Sequence, residues 1–391
     1  MPSVIVMGGS LGGLTAALVL RDAGCDVRVF ERSSSALQAR GAGIAALDAT
    51  LRYLTENGGR PQDVCSSTGW IRFLRADASV QHEQRHRYLF SSWNTIYRSL
   101  LRLIDPERYA LGHEVVTFDQ SAAGVVVSLA DGSRASADLL VCADGVGSAA
   151  RARLVPAVTP SYAGYVAWRG TFPERDLSPA ARAVFADAIT YQVLAASHIL
   201  VYPIPGLDGS LARGDRLINF VWYVNVPEGH DLDHLMTGRD GVRRAVTLPP
   251  GAATGEAVAG LRRAAADRLA APIAEVVTSV AEPFVQAIYD IEVPRMASGR
   301  VCLIGDAAFA VRPHAAAGTA KAAQDGWALA EELTARHGDV PAALAAWEQR
   351  QLALGRSLLA RTREIGDSSQ FSGTFQPGDP KLIFGLHGPG R

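Results

Sequence analysis

Apolar and polar positions change period several times along the chain. Residues 3–8 (Ser-Val-Ile-Val-Met-Gly) form a short continuous apolar run, which predicts a buried strand. Over 12–23, Leu14, Ala17 and Leu18 recur at helical spacing and predict a helix. Residues 26–31 (Asp-Val-Arg-Val-Phe-Glu) alternate, which predicts a second strand and completes a βαβ unit. Residues 94–104 read as a helix with Asn94 as its cap. Segments 114–120, 124–133 and 137–145 read as strands, with Asp131-Gly132 as a hairpin turn.

The texture changes near residue 160. Segments 162–171, 190–205 and 216–226 are rich in aromatic and β-branched residues and predict a mixed or antiparallel sheet. In the third, Ile218, Phe220, Trp222 and Val224 share one face, while Asn219, Val221, Tyr223 and Asn225 share the other. An Ala-rich stretch follows, then a strand over 300–305, helices over 316–335 and 341–365, and a Gly/Pro-rich tail, 367–391, without regular structure. The expected fold is α/β: a Rossmann-like domain from 1–160 plus 285–330, an inserted sheet domain over 161–284, and C-terminal helices and tail over 331–391.

Charge and cysteine content remove several classes of function. The 391 residues carry 38 basic and 39 acidic side chains, a net charge of −1. Neither a nucleic acid nor a membrane is an expected partner. Four cysteines are scattered without any CxxC, so neither a disulfide framework nor a metal site is expected, and a cytoplasmic location fits. The apolar N-terminal run has no basic residue before it, unlike a signal peptide.

Chemistry enters at three glycine-bearing turns. Gly8-x-Ser10-Leu11-Gly12-Gly13 sits between strand and helix, and Glu31, followed by Arg32, ends the next strand. In such a turn the glycines admit a tight bend and close helix packing, the helix N-terminus faces a pyrophosphate, and the acidic residue accepts from a ribose hydroxyl. Serine at position 10 replaces the middle glycine of the usual pattern. The unit by itself does not distinguish NAD from FAD. Asp144-Gly145 and Gly305-Asp306 each put a carboxylate at the end of a predicted strand.

Together the three turns resemble those of the flavin-dependent aromatic hydroxylases, the class of para-hydroxybenzoate hydroxylase. The resemblance implies non-covalent FAD on Gly8–Gly13, Glu31 and Arg32. It places Arg40, Gly43 and Ile44 beside the flavin, Arg98 near its phosphates or ribose, and Asp144 and Asp306 on its ribityl region. Ala316, Ala317, Gly318 and Thr319 follow at the isoalloxazine end. The stretches 162–170, 201–206, 220–237 and 312–325, with the tail, narrow the resemblance to the dihydroxypyridine monooxygenases. The implied reaction hydroxylates an electron-rich hydroxy-N-heteroaromatic ring with NAD(P)H and O2 through a flavin hydroperoxide. NADH and NADPH are not distinguished, and a homodimer is left open. His314 is the expected base, with Trp168 and Trp222 beside it at the substrate. A phenol, quinoline or urate-like ring is the alternative substrate, and an oxidase that ignores NAD(P)H is the alternative enzyme.

Overall fold

A computed structural model of the chain describes residues 1–37 and 42–391. Strand β1 (Ser3–Met7), helix α1 (Leu11–Asp22) and strand β2 (Asp26–Glu31) form the opening unit, with β1 and β2 parallel. Val4, Ile5 and Val6 are at most 1% exposed, as a continuous apolar run requires of a strand covered on both faces. Leu139–Cys142 pairs with the other edge of β1, and Val301–Leu303 pairs with Leu139–Cys142, all in parallel. Tyr109–Leu111 extends the sheet beyond β2, and Ala297–Ser298 closes the far edge antiparallel. Both ends of the chain thus build one six-stranded sheet. Because the strands are parallel, the turns at Gly8, Asp144 and Asp306 emerge at the same sheet edge.

The second sheet has nine strands. Its centre is antiparallel: Ser161–Pro173, Leu217–Asn225, Ser197–Ile204 and Ala188–Leu194. Ala195 and Ala196 break the expected 190–205 run into a hairpin, with Ala196 at φ 53°. Residues 43–45 and 66–92, expected in the nucleotide domain, pair here instead. Ser66–Leu74 joins Ala188–Leu194 in parallel and carries Val80–Ser92 and Gly43–Ala45 beyond it. That pairing joins segments far apart in sequence, so no local periodicity announces it.

Alternation splits this sheet into two buried faces. Ile218, Phe220 and Trp222 pack with Trp168 against the helices Gly255–Arg268 and Ala271–Ser279, which form from the Ala-rich stretch. Val221 and Tyr223 share the opposite core with Tyr165, Ala167, Tyr191 and Tyr202. The helix Trp93–Leu101 is capped by Ser92, whose hydroxyl accepts from Thr95 N at 2.9 Å. Asn94, the expected cap, lies inside the helix.

Gly318–Ala335 packs along α1 so closely that a Cβ on Gly326 would lie 2.9 Å from Ala16 Cα. The helix Val340–Asp367 follows it and runs on into the tail. The tail is not featureless. Ser368–Ser372 makes a π turn, and Phe375, Phe384 and Leu386 are buried.

Candidate active site

A cleft with a cavity volume of about 380 Å³ lies between the carboxyl edge of the first sheet and the tyrosine-bearing face of the second. Its lining includes Ser10, Leu11 and Gly12 at one end, Gly43, Ile44, Ala167, Arg169 and Tyr202 from the second sheet, and Asp306, Pro313, Ala316, Gly318 and Thr319.

Gly8 has φ 103°, and a Cβ there would lie 2.5 Å from Ala143 O. A Cβ on Gly13 would lie 1.9 Å from Gly8 O. These two glycines therefore shape the turn without lining the cleft. Ser10 is the N-cap of α1 but makes no side-chain capping bond, so the first N–H groups of the helix keep their capacity for an anion. Glu31 is buried and accepts from Gly9 N and Ser33 N, both at 2.8 Å. Tyr109 donates to Gly9 O at 2.9 Å, so both polar atoms of the Gly9 backbone are held.

The other turns differ in what they offer. Asp306 presents its carboxylate to the cleft. Desolvation raises its pKa above the ordinary carboxylate value, while nearby Lys321 pulls it down. Below it, Lys321 and Asp325 form a fully buried ion pair at 2.7 Å, and Asp325 also accepts from Gly305 N at 2.8 Å. Asp144, expected on the ribityl chain, instead accepts from Ser148 Oγ at 2.6 Å and Ala150 N at 3.2 Å. It organises the following helix, and its neighbour Gly145 reaches the cleft. Arg151 ties this turn to the third one by donating to Ala307 O at 3.2 Å.

Arg32 is exposed, and Ala317 is buried behind the cleft as the N-cap of Gly318–Ala335. Among the described residues Arg98 reaches only Leu207 O, at 3.5 Å, and it is not part of the described cleft lining. Arg40 lies outside the described residues. Trp168 and Trp222 are directly cross-strand and belong to the far core, with Trp222 Nε1 donating to Ser197 Oγ at 2.9 Å. Period-two alternation turns them away from the cleft and turns Ala167, Arg169 and Tyr223 toward it.

A small chamber adjoins the cleft across Leu200, Tyr223, Pro313 and Phe384. His314 and His198 line it with Tyr191 and Phe375, and the two imidazole centroids are 5.4 Å apart. Burial drives the pKa of His198 down to about 3. His314 is pushed well below its usual value by burial first, and then by His198 and Arg312. An imidazolium is therefore strongly disfavoured at His314, which weakens it as the expected proton acceptor. His198 Nδ1 is hydrogen-bonded to Ser369 Oγ of the tail.

Sequence reasoning missed Tyr165, Arg169, His198, Asn219, Phe375 and Phe384. Arg169 donates to Gly43 O at 2.6 Å and Gln286 Oε1 at 2.7 Å, while Gly43 N donates to Asn219 Oδ1 at 2.9 Å. These bonds fix the start of the Gly43–Ala45 strand against the central strands of the second sheet. The alternation over 218–225 was the one local signal for Asn219.

Residues 1–179 and 262–362 match a family model described as "FAD binding domain", and 162–290 match one described as "FAD binding domain-like". The chain belongs to the FAD-binding-domain family of flavin-dependent aromatic hydroxylases. It is 39% identical to the 2,6-dihydroxypyridine 3-monooxygenase of Paenarthrobacter nicotinovorans, covering 98% of this chain and 95% of that one. The solved 2,6-dihydroxypyridine-3-hydroxylase of Arthrobacter nicotinovorans superposes with a TM-score of 0.93 at 37% identity, covering 98% and 97% of the two chains. The 6-hydroxynicotinate 3-monooxygenase of Pseudomonas fluorescens is 28% identical, with coverage of 85% and 82%. For this FAD-binding family the cradle at Gly8–Gly13, the uncapped helix and the open carboxylate of Asp306 form a fitting donor and acceptor set.

Proposed function

We propose that the protein hydroxylates an electron-rich, hydroxylated N-heteroaromatic ring of the dihydroxypyridine kind, consuming NAD(P)H and O2. The balance is ring–H + NAD(P)H + H⁺ + O2 → ring–OH + NAD(P)⁺ + H2O. The observation that carries this reading is one cleft that joins a flavin cradle to an aromatic, charge-poor chamber. The near full-length similarity to a dihydroxypyridine monooxygenase supports the same substrate class.

Bound FAD supplies hydride acceptance and oxygen activation. The first N–H groups of α1 would meet its diphosphate, and Glu31 would meet its adenosine ribose beside Gly9. Asp306 would accept from the ribityl chain, and the turn over Pro313–Thr319 would border the ring system. Arg169 holds the start of the Gly43–Ala45 strand. Tyr202, Val221, Tyr223 and Phe384 cover the space beside Pro313 and exclude water from it. Arg169 lines the same cleft and donates to the neutral oxygens of Gly43 and Gln286, so its positive charge faces the ring without a carboxylate partner among the described residues. A neutral or singly deprotonated hydroxy-heterocycle suits that wall.

Anaerobic rapid mixing of the yellow holoenzyme with NADH or NADPH tests the reading. Flavin bleaching is expected to be at least tenfold faster with 2,6-dihydroxypyridine bound. Equal rates with and without a ring compound, across pyridines, phenols and purines, would refute it.

A further inference from the structure

The two ring nitrogens of His314 have different surroundings. Nε2 lies 2.7 Å from the Tyr165 hydroxyl oxygen. Nδ1 is buried and has no hydrogen-bond partner among the described residues. Leaving a buried polar atom unpaired is costly, so this nitrogen calls for a ligand.

The neighbours of Tyr165 determine which nitrogen bears the proton. Its oxygen adjoins Arg312, a group that only donates. Arg312 is itself locked, by Asp290 on Nε and Nη2 and by Asp367 on Nη1 at 2.6 Å. The three side chains crowd around Gly366. A Cβ there would lie 2.7 Å from the Tyr165 hydroxyl oxygen, 3.0 Å from Arg312 Nη1 and 3.0 Å from His314 Nε2. The guanidinium charge on that side attracts the tyrosine oxygen, which turns the hydroxyl proton away from it and toward His314 Nε2. A neutral imidazole that accepts at Nε2 carries its proton on Nδ1.

The chamber that His314 lines has a volume of about 20 Å³, room for one water-sized group and not for a ring. We propose that it is an oxygen-recognition pocket. Tyr165 is the positioning residue that holds His314 in its Nδ1–H tautomer, and Nδ1–H donates to one exocyclic oxygen of a ring lying in the cleft. This rests on the reading of a hydroxylated heteroaromatic substrate. It recasts His314 from base to donor, because its one lone pair is already engaged by Tyr165. The groups facing His314 are Tyr165, His198, Tyr223 and Arg312, with Asp290 and Asp367 behind the arginine. Burial keeps both tyrosines protonated and His198 neutral at neutral pH, so the donor state persists there.

Two readouts on the holoenzyme test this. Nitrogen-15 NMR of histidine-labelled protein, assigned with His314→Asn, should show Nδ1 as the protonated nitrogen and Nε2 as the bare one. Tyr165→Phe should mix the two tautomers. Binding of 2-pyridone and of pyridine, read from the flavin absorbance, should favour the oxygen-bearing ring about tenfold, the size of one hydrogen bond. His314→Leu should abolish that preference, Tyr165→Phe should lower it only in proportion to the lost tautomer, and His314→Asn, which restores an N–H near the same place, should recover most of it. A proton on Nε2, or an unchanged preference in His314→Leu, overturns the proposal. Failure of 2-pyridone to bind the wild-type enzyme while the tautomer is as stated would instead sink the hydroxypyridine reading, and with it the oxygen ligand assigned here.

Discussion

His198 and His314 together make stability depend on pH. Both are neutral when folded, with His198 at about 3 and His314 well below its usual value. Unfolded, each titrates near 6.5. As pH falls through about 6.5 the unfolded chain takes up protons that the native chain refuses, so stability is full above that pH and declines below it. At pH 5.5 the loss should be about 1.4 kcal/mol per histidine, or about 2.8 kcal/mol for both. Urea midpoints measured from pH 7.5 to 5.5 should show this decline, and His198→Gln should remove about half of it. At the other end of the cleft, Gly13→Val drives side-chain atoms into Gly8 O, 1.9 Å from its Cβ position, and the protein should purify without flavin. Glu31→Ala removes the acceptor of Gly9 N and should weaken FAD by about tenfold in a reconstitution titration.

At the scale of elements, the second sheet separates stability from recognition by alternation alone. Trp222→Phe takes a hydrogen bond and volume from the far core, so it should cost about 1–3 kcal/mol in urea unfolding and leave the KM for the ring unchanged. A raised KM would mean that the two faces are coupled. The tail acts oppositely. Arg361 donates to Gly385 O and Ile383 O, and Phe384 N donates to Tyr88, so the tail is clasped over the chamber. Arg361→Met should keep FAD and weaken ring binding about three- to tenfold, read by flavin absorbance. The sequence disclosed the βαβ unit and its glycine turn because those signals are local. It also disclosed that residues 218–224 have two faces. Which face meets the cleft was not legible, because that depends on where the Ala-rich helices dock. The parallel pairing of Ser66–Leu74 with Ala188–Leu194 was hidden for the same reason, and so was the tail, whose Phe375 and Phe384 are isolated apolar residues among glycines and prolines.

The whole molecule brings the two ends of the chain and an inserted sheet around one cleft. No helix among the described residues is long and apolar enough to cross a membrane, and all four cysteines are free and buried. The central claim is coupled ring hydroxylation, and product stoichiometry tests it most directly. Purified holoenzyme, 2,6-dihydroxypyridine and a limiting amount of NADH or NADPH are mixed in air, and hydroxylated ring, O2 and H2O2 are quantified. The account predicts close to one hydroxylated ring and one O2 per reduced nicotinamide, with little H2O2. Nicotinamide oxidation that the ring does not stimulate, or that yields H2O2 alone with every hydroxy-heteroaromatic tried, would contradict it.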